Sequence, residues 1–431
     1  MEVDAMTDSV IDLGELRHGP DPDPPPRPPR AHSRPLRCAL VVLLALVTLA
    51  AAAVPPSRRA PLTLPAPPGS DVMIDGDLFL VMEPTDTATR QGRLAAYRLP
   101  GGEPVWQAPL SAEARYWGMR SLAGMVLVTG FEIGPEGRET RTVALDRATG
   151  AYRWQQPGVA YELTDGNLLL RSGGETEPSS VRAVDPCCGS VRWQLPPTTA
   201  GINIRDTGQG VDRIVLNQAN GLVEVRDTTT GAALARAEMR PPGAAPLGIE
   251  LIDDLLLAID RGSGTINAYG LDWLERRWTR ASGPIEFALD CGPVVCLRTG
   301  GNELQALDPA TGDVRWRSDR WLWGWPYENR LMANVSGFGP MEQYIVLDPL
   351  TGRQLADLGR WELYQLGVGG RLVGIRRHPD GGVLVGELNI AAGEVRIVDV
   401  LPDASGECQA ITGYLVCATP AGSYQLWKLA D

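Results

Sequence analysis

Histidine is scarce in this chain, which has three among its 431 residues. Beyond residue 69 the sequence contains a single one, His378, in the stretch RRHPDGG. This scarcity argues against histidine-activated nucleophiles and histidine-rich metal centres. The sequence also lacks a GxSxG elbow, an HExxH helix and a phosphate-binding P-loop. We therefore predict no catalytic residues and no metal site.

Lysine is nearly absent, and the acidic residues outnumber the basic ones by 52 to 40, which gives a net charge of −12. Nucleic-acid binding needs clustered positive charge, so the composition excludes nucleic acid as a partner. Arginine carries almost all of the positive charge, beside many alanines, glycines and prolines. This bias is typical of GC-rich coding and predicts an actinobacterial source.

Only one uncharged apolar run approaches the length of a membrane span, Cys38–Val54 (CALVVLLALVTLAAAAV). Arginines concentrate before it, at Arg27, Arg30, Arg34 and Arg37. The positive-inside rule therefore predicts a disordered cytoplasmic tail (1–37), a transmembrane signal anchor (38–54), a Pro-rich linker (55–68) and an extracytoplasmic domain (69–431).

Two features of this N-terminal region allow another interpretation. Ala51–Ala53 could serve as the cleavage site of a signal peptide, although the long polar leader and the length of the run favour an anchor. The tail contains VIDLGEL, Val10–Leu16, which could bind a cytoplasmic partner instead of being inert leader.

The feature that organises the rest of the chain is LQALDPATGDVRW, Leu304–Trp316. Asp308 can accept backbone hydrogen bonds from residues that follow it, Pro309 sets φ at the first corner, and Gly312 supplies a left-handed conformation. The pattern predicts a strand, a compact turn and a second strand that ends on tryptophan.

Seven more copies of this hairpin occur, with a period of roughly 40 residues, the length of a four-stranded propeller blade. They are Leu94–Trp106, Thr142–Trp154, Val181–Trp193, Val223–Ala235, Ile266–Trp278, Tyr344–Ala356 and Val385–Ile397. A truncated ninth copy, Ser423–Leu429, lacks an outer strand, which Pro61–Ala66 could supply. We predict an all-β fold, a closed β-propeller of four-stranded blades, with eight blades as the best guess.

The A-x-D-x-x-T-G-x-x-x-W form of these copies resembles the repeats of PQQ-binding-like β-propellers, which include quinoprotein dehydrogenases and BamB-type assembly lipoproteins. The resemblance implies that a tryptophan packs between neighbouring blades. The residues that match this role are Trp106, Trp154, Trp193, Trp278 and Trp316. In the dehydrogenases the quinone and a calcium ion lie on the axis beside a vicinal disulfide. Cys187 and Cys188 fall in an outer turn instead, so we predict no cofactor and keep PQQ with calcium as the weaker alternative.

Six of the seven cysteines follow the apolar run, an even number that suits an oxidising compartment. We predict disulfides between Cys291 and Cys296, between Cys408 and Cys417, and between the neighbours Cys187 and Cys188. Free thiols are the alternative. Zinc is not expected, because the spacings do not form paired CxxC knuckles and histidine is missing.

An aromatic cluster, WLWGWPYEN, is the candidate binding site. Trp321, Trp323 and Trp325 alternate, so a strand would place them on one face, with Tyr327 beyond. Trp117 and Trp361 occupy comparable positions in other copies. Such aromatic residues are enriched in binding hot spots, while packing between blades is the alternative explanation.

Together these features predict a non-enzymatic binding or scaffold module that recognises a protein or a cell-envelope component. The alternative is a quinone- or sugar-binding enzyme, or a ligand sensor, on the same propeller. Fold alone does not decide between them. The sequence gives no indication of the oligomeric state.

Overall fold

The computed structural model describes residues 61–67, 69–84, 92–111, 113–134, 137–173, 178–198, 201–239, 247–335, 341–365, 372–379, 381–411 and 413–429. The predicted tail (1–37), the predicted anchor (38–54) and half of the linker (55–60 and 68) lie outside these residues. Among the residues that are described, no helix has the length and apolar character needed to cross a membrane.

The described residues form β-strands joined by turns and short connecting segments. Strands β1 to β9 are Leu62–Leu64, Asp71–Asp75, Leu78–Glu83, Gly92–Arg98, Glu103–Leu110, Ala114–Leu122, Met125–Gly134, Gly137–Asp146 and Tyr152–Pro157. Strands β10 to β17 are Val159–Glu162, Leu168–Ser172, Ser180–Val184, Val191–Gln194, Gly201–Asp206, Val211–Asn217, Leu222–Asp227 and Ala233–Glu238. Strands β18 to β25 are Gly248–Ile252, Leu255–Asp260, Thr265–Gly270, Arg276–Ala281, Ile285–Asp290, Val295–Thr299, Leu304–Leu307 and Val314–Ser318. Strands β26 to β35 are Trp323–Tyr327, Arg330–Asn334, Glu342–Leu347, Gln354–Gln365, Leu372–Arg377, Val383–Asn389, Glu394–Leu401, Gly406–Ile411, Tyr414–Ala418 and Tyr424–Lys428.

Within the described residues these strands make nine four-stranded antiparallel units, numbered here in chain order. Units 1 to 6 are the sheets β2–β5, β6–β9, β10–β13, β14–β17, β18–β21 and β22–β25. Units 7 and 8 share the long strand β29, whose first part pairs with β28 and whose last part, Glu362–Gln365, pairs with β30. Unit 9 is β33–β34–β35 with β1 as its fourth strand.

The best guess of eight blades is therefore one unit short. The eight hairpins belong to units 1 to 8, and the truncated copy becomes a complete ninth unit because β1 pairs antiparallel with β35. In that register Leu62 lies opposite Leu426, and Leu64 opposite Tyr424. The expectation that Pro61–Ala66 supplies the missing outer strand is confirmed.

The hairpin turn forms for the reasons that its residues suggest. Asp308 Oδ1 accepts the backbone N–H of Ala310 at 2.8 Å and that of Thr311 at 3.3 Å. Gly312 has φ of +76° and donates its N–H to the Asp308 carbonyl at 2.8 Å. The carboxylates of Asp146, Asp227 and Asp348 receive the same kind of backbone hydrogen bonds, so this turn is a local structure repeated along the chain.

The core consists of buried apolar clusters between successive units. Leu257 of unit 5, for example, packs with Val295 and Leu297 of unit 6, all fully buried. Another cluster joins Phe79 and Val81 of unit 1 to Val416 of unit 9. The apolar contacts therefore return from the last unit to the first, which leaves no uncovered sheet face at that junction.

Tryptophan side chains connect neighbouring units. The Trp278 indole N–H of unit 5 donates to the Pro309 carbonyl of unit 6 at 2.8 Å, and its ring lies against Gly312. A Cβ atom on Gly312 would approach Trp278 Cε3 to 2.6 Å, so only glycine leaves room for the ring. The same pairing of an indole with the turn of the next unit occurs at Trp106, Trp154, Trp193 and Trp316.

The hairpins without tryptophan carry Ala235, Ala356 and Ile397 at that position. Ala356 lies against Gly393, where an added Cβ would come within 2.6 Å of the alanine Cβ. The methyl group of Ala356 thus packs against the turn glycine of the next unit, where an indole ring packs in five other copies.

Candidate functional site

Two cavities adjoin at the end of the molecule where the innermost strands of units 1, 2, 8 and 9 begin. The larger, about 950 Å³, is lined by residues of β2, β29, β30 and β33. The smaller, about 340 Å³, is lined by residues of β2, β3 and β6. Gly69 and Asp71 line both. We call the two cavities together the junction groove.

Strand pairing explains why these residues meet. Glu362, Glu407 and Asp71 lie at or near the starts of the innermost strands of units 8, 9 and 1. Because β29 and β30 are antiparallel, the end of β30 returns to the start of the innermost strand, and Ile375 lies opposite Glu362. Arg376 and Arg377, the last residues of β30, therefore reach the same groove.

The junction of units 9 and 1 is fixed by one amide side chain. Gln409 on β33 donates from Nε2 to the Val72 carbonyl and accepts the Ile74 N–H at 3.1 Å through Oε1. Tyr424 of unit 9 also donates to the Ser70 carbonyl at 3.3 Å. The floor of the groove is thus hydrogen-bonded between units 9 and 1, which gives it a defined shape before any ligand arrives.

A buried tryptophan holds one of the two arginines. The guanidinium carbon of Arg376 lies 4.6 Å from the centroid of the Trp361 ring, a distance suited to a cation–π interaction. Trp361 is 2% exposed, and its indole N–H donates to the Leu358 carbonyl at 2.6 Å. The ring is therefore fixed, and Arg376 is held at the wall of the groove.

A tyrosine orients the carboxylate beside these arginines. The Tyr364 hydroxyl donates to Glu362 Oε1 and accepts the Cys408 N–H at 3.3 Å. Burial and the hydrogen bond to Glu362 raise the pKa of Tyr364, so the phenol stays protonated. Tyr364 therefore holds the carboxyl group of Glu362 in a fixed position at the groove.

Asp71 lies where the two cavities meet. Partial shielding from water raises the pKa of its carboxyl, and the Val72 backbone hydrogen bond offsets only part of this effect. Arg115 and Tyr116 line the far side of the smaller cavity. The groove thus combines carboxylates, guanidinium groups, phenols and backbone groups, an arrangement suited to binding a ligand of mixed charge.

In the structure, the residues of the predicted aromatic site contact different neighbours. Trp321 precedes β26 and is 2% exposed, in the core between units 6 and 7. Trp323 stacks on Phe287 of the preceding unit, with ring centroids 4.5 Å apart. Trp325 makes an edge contact with Tyr344 at 5.5 Å, and Tyr327 is half-buried.

The other two predicted aromatic residues lie near the groove. Trp117 is 53% exposed and follows Tyr116 of the smaller cavity, while Trp361 supports Arg376. Sequence reasoning did not single out the pair Arg376–Arg377, Glu407 or Gln409. None of them belongs to the repeated turn, and their only sequence signal is charge or amide character at a strand end.

Two of the three predicted disulfides are present. Cys291 is joined to Cys296, and Cys408, which lines the groove, is joined to Cys417 across β33 and β34. The prediction for Cys187 and Cys188 is wrong, since both are free, exposed thiols. This turn instead keeps the backbone hydrogen bond of the other copies, in which the Gly189 N–H donates to the Asp185 carbonyl at 2.9 Å.

Residues 90–247 match the family model described as outer membrane protein assembly factor BamB. This segment includes the hairpins of units 1 to 4, and it confirms the recognition of BamB-like, PQQ-type repeats. No curated protein matches the chain.

Solved structures with similar folds share little sequence with this protein. A eukaryotic initiation factor is 11% identical over 80% of this chain and 91% of its own, with a TM-score of 0.53. The computationally designed protein Ika8 is 14% identical, with coverages of 73% and 96% and a TM-score of 0.45. BamB from Moraxella catarrhalis is 19% identical, with coverages of 63% and 86% and a TM-score of 0.38. At such identities, similarity to the initiation factor supports the fold alone.

Proposed function

We propose that this protein is a non-enzymatic binding module, a closed β-propeller that holds an extended segment of a partner protein in the junction groove. The observation that carries the proposal is the shape of the groove. Its two cavities share Gly69 and Asp71 and cross the strand starts of four units. A compact ligand would fill one such cavity, whereas an extended polypeptide can occupy both.

The chemistry of the lining supports the same ligand. The larger cavity is lined by the carboxylates of Asp71, Glu362 and Glu407 and by the guanidinium groups of Arg376 and Arg377. A polypeptide offers both charge signs and backbone groups, and it can pair with each of these in turn. The family model that matches residues 90–247 is that of an assembly factor, which is consistent with a role in binding proteins.

We place the domain outside the cytoplasm, anchored through residues 38–54 with the tail 1–37 inside. Two disulfides support this location, because such bonds persist mainly in oxidising compartments. The actinobacterial source remains a prediction from composition.

The test begins with a photo-crosslinking amino acid in place of Arg377 in the full-length protein in its native membranes. The same amino acid in place of Trp273, which is 81% exposed in the turn between β20 and β21, is the control. We expect a polypeptide that crosslinks from Arg377 and not from Trp273, and mass spectrometry identifies the attached segment.

A synthetic peptide of that segment is then titrated against purified protein. Arg376→Ala/Arg377→Ala is expected to weaken binding about tenfold or more, because hydrogen bonds to charged groups contribute roughly 1.5–3 kcal/mol. Arg317→Ala removes an exposed positive charge on β25, outside the groove, and is expected to leave affinity unchanged. Equal affinity of all three proteins would refute the proposed site. Saturable stabilisation by a sugar, or by a quinone with calcium, without peptide binding would favour the alternative function.

A further inference from the structure

The hairpin between β12 and β13 carries an unusual turn, DPCCG, at Asp185–Gly189. The equivalent turns at 146–150, 227–231, 308–312 and 348–352 read DRATG, DTTTG, DPATG and DPLTG, with no sulfur. Cys187 and Cys188 are free and exposed. Their sulfur atoms and a carboxylate oxygen of Asp185 all lie within 4.8 Å of one another. Three potential metal ligands are therefore together on one turn, outside the junction groove.

The backbone of this turn is fixed from within. Asp185 Oδ1 accepts the Cys187 N–H at 2.9 Å, and the Asp185 carbonyl accepts the Gly189 N–H at 2.9 Å. The Asp185 N–H donates to the Ser190 carbonyl, also at 2.9 Å. The carboxylate and the two thiols thus start from a defined relative position.

The preceding unit fixes the turn from outside. The Trp154 indole N–H donates to the Pro186 carbonyl at 2.8 Å. Gly189 lies so close to the Trp154 ring that a Cβ atom would be 2.7 Å from Cγ. A preorganised set of ligands loses less conformational entropy when it binds an ion.

The thiols are suited to a soft cation. Thiolates select soft or borderline ions over Mg²⁺ and Ca²⁺, which prefer oxygen. The exposed position leaves room for water as a further ligand.

We propose that Asp185, Cys187 and Cys188 form a binding site for one thiophilic cation with a filled d shell, either Zn²⁺ or Cu⁺. Two thiolates and one carboxylate coordinate the ion, and the two thiol protons pass to solvent on binding. The cysteine spacing alone did not predict this site, because the third ligand comes from the turn geometry and not from another cysteine motif.

The test titrates Cd²⁺, as a spectroscopic probe, into full-length protein that is kept free of oxygen and has its free thiols counted. We expect one ion per chain with an ultraviolet thiolate-to-metal charge-transfer band. Cys187→Ala/Cys188→Thr rewrites the turn as DPATG, the sequence of residues 308–312, so this variant is expected to fold. It should lose the band, while Cys38→Ser should retain it.

Asp185→Asn keeps a turn-capping side chain but removes the anionic ligand, and it should weaken Cd²⁺ binding about tenfold. Competition then ranks Zn²⁺ and Cu⁺, since the ion with the higher affinity displaces Cd²⁺ at the lower free concentration. The proposal is overturned if reduced, folded protein shows no band. It is also overturned if the band persists in Cys187→Ala/Cys188→Thr or disappears in Cys38→Ser.

Discussion

Replacing Gly312 by alanine should reveal how much of the stability depends on the contact between an indole ring and the turn of the next unit. Gly312 has φ of +76°, and an added Cβ would lie 2.6 Å from Trp278 Cε3 and 2.7 Å from Cδ2. The ring cannot easily retreat, because Trp278 is 7% exposed and its indole N–H is bonded to the Pro309 carbonyl.

Two costs combine in this variant. An alanine in the left-handed region costs about 1–2 kcal/mol. Forcing extra volume into a packed contact adds roughly 1–3 kcal/mol. Gly312→Ala should therefore lower the free energy of unfolding by about 2–5 kcal/mol. Gly208 also has φ of +76° but would meet no atom within 4 Å, so Gly208→Ala should show the backbone cost alone.

The assay is urea unfolding of full-length protein followed by tryptophan fluorescence. A further comparison places Gly312→Ala in a Trp278→Leu background, where the smaller side chain should remove most of the contact cost and leave the backbone cost. The reasoning fails if Gly312→Ala and Gly208→Ala lose the same stability, because the indole contact would then contribute nothing.

Two other predictions concern covalent and electrostatic stabilisation. Cys408→Ala/Cys417→Ala removes a disulfide that closes a loop with a sequence separation of 9, and it should cost about 2–3 kcal/mol in urea unfolding; an unchanged midpoint would contradict this. The hydrogen bond from Arg153 lowers the pKa of Asp146 to about 2. This carboxylate therefore stabilises the fold fully above about pH 4 and loses its effect as the pH falls towards 2. The stability difference between wild type and Asp146→Asn should shrink over that interval, and a constant difference would argue against the ion pair.

The repeated turn is the part of the fold that the sequence predicts best. Asp308, Thr311 and Gly312 are close along the chain, and their hydrogen bonds and left-handed glycine depend on neighbouring residues alone. The Cys291–Cys296 disulfide was predictable for the same reason, since its loop is short. Cys187 and Cys188 were predicted incorrectly, since both are free and exposed, and an even number of cysteines does not show which of them pair.

The candidate site was much less accessible to sequence reasoning. The aromatic pattern at Trp321–Tyr327 could not distinguish a ligand-binding face from packing between units. Arg376 became a candidate only when the structure placed it over Trp361. A pair of arginines at a strand end has no repeated pattern to mark it.

By itself, the sequence determined the hairpin, its repetition and the tryptophans that end five of its copies, because each of these depends on contacts within a few residues or on a family pattern. Tertiary structure alone decided the number of complete units and the junction groove. The groove depends on the meeting of the two ends of the described domain, where Gln409 contacts Val72 across a sequence separation of 337 residues. Side chains so distant along the chain come together only when all nine units have packed, so no local pattern can encode their contact.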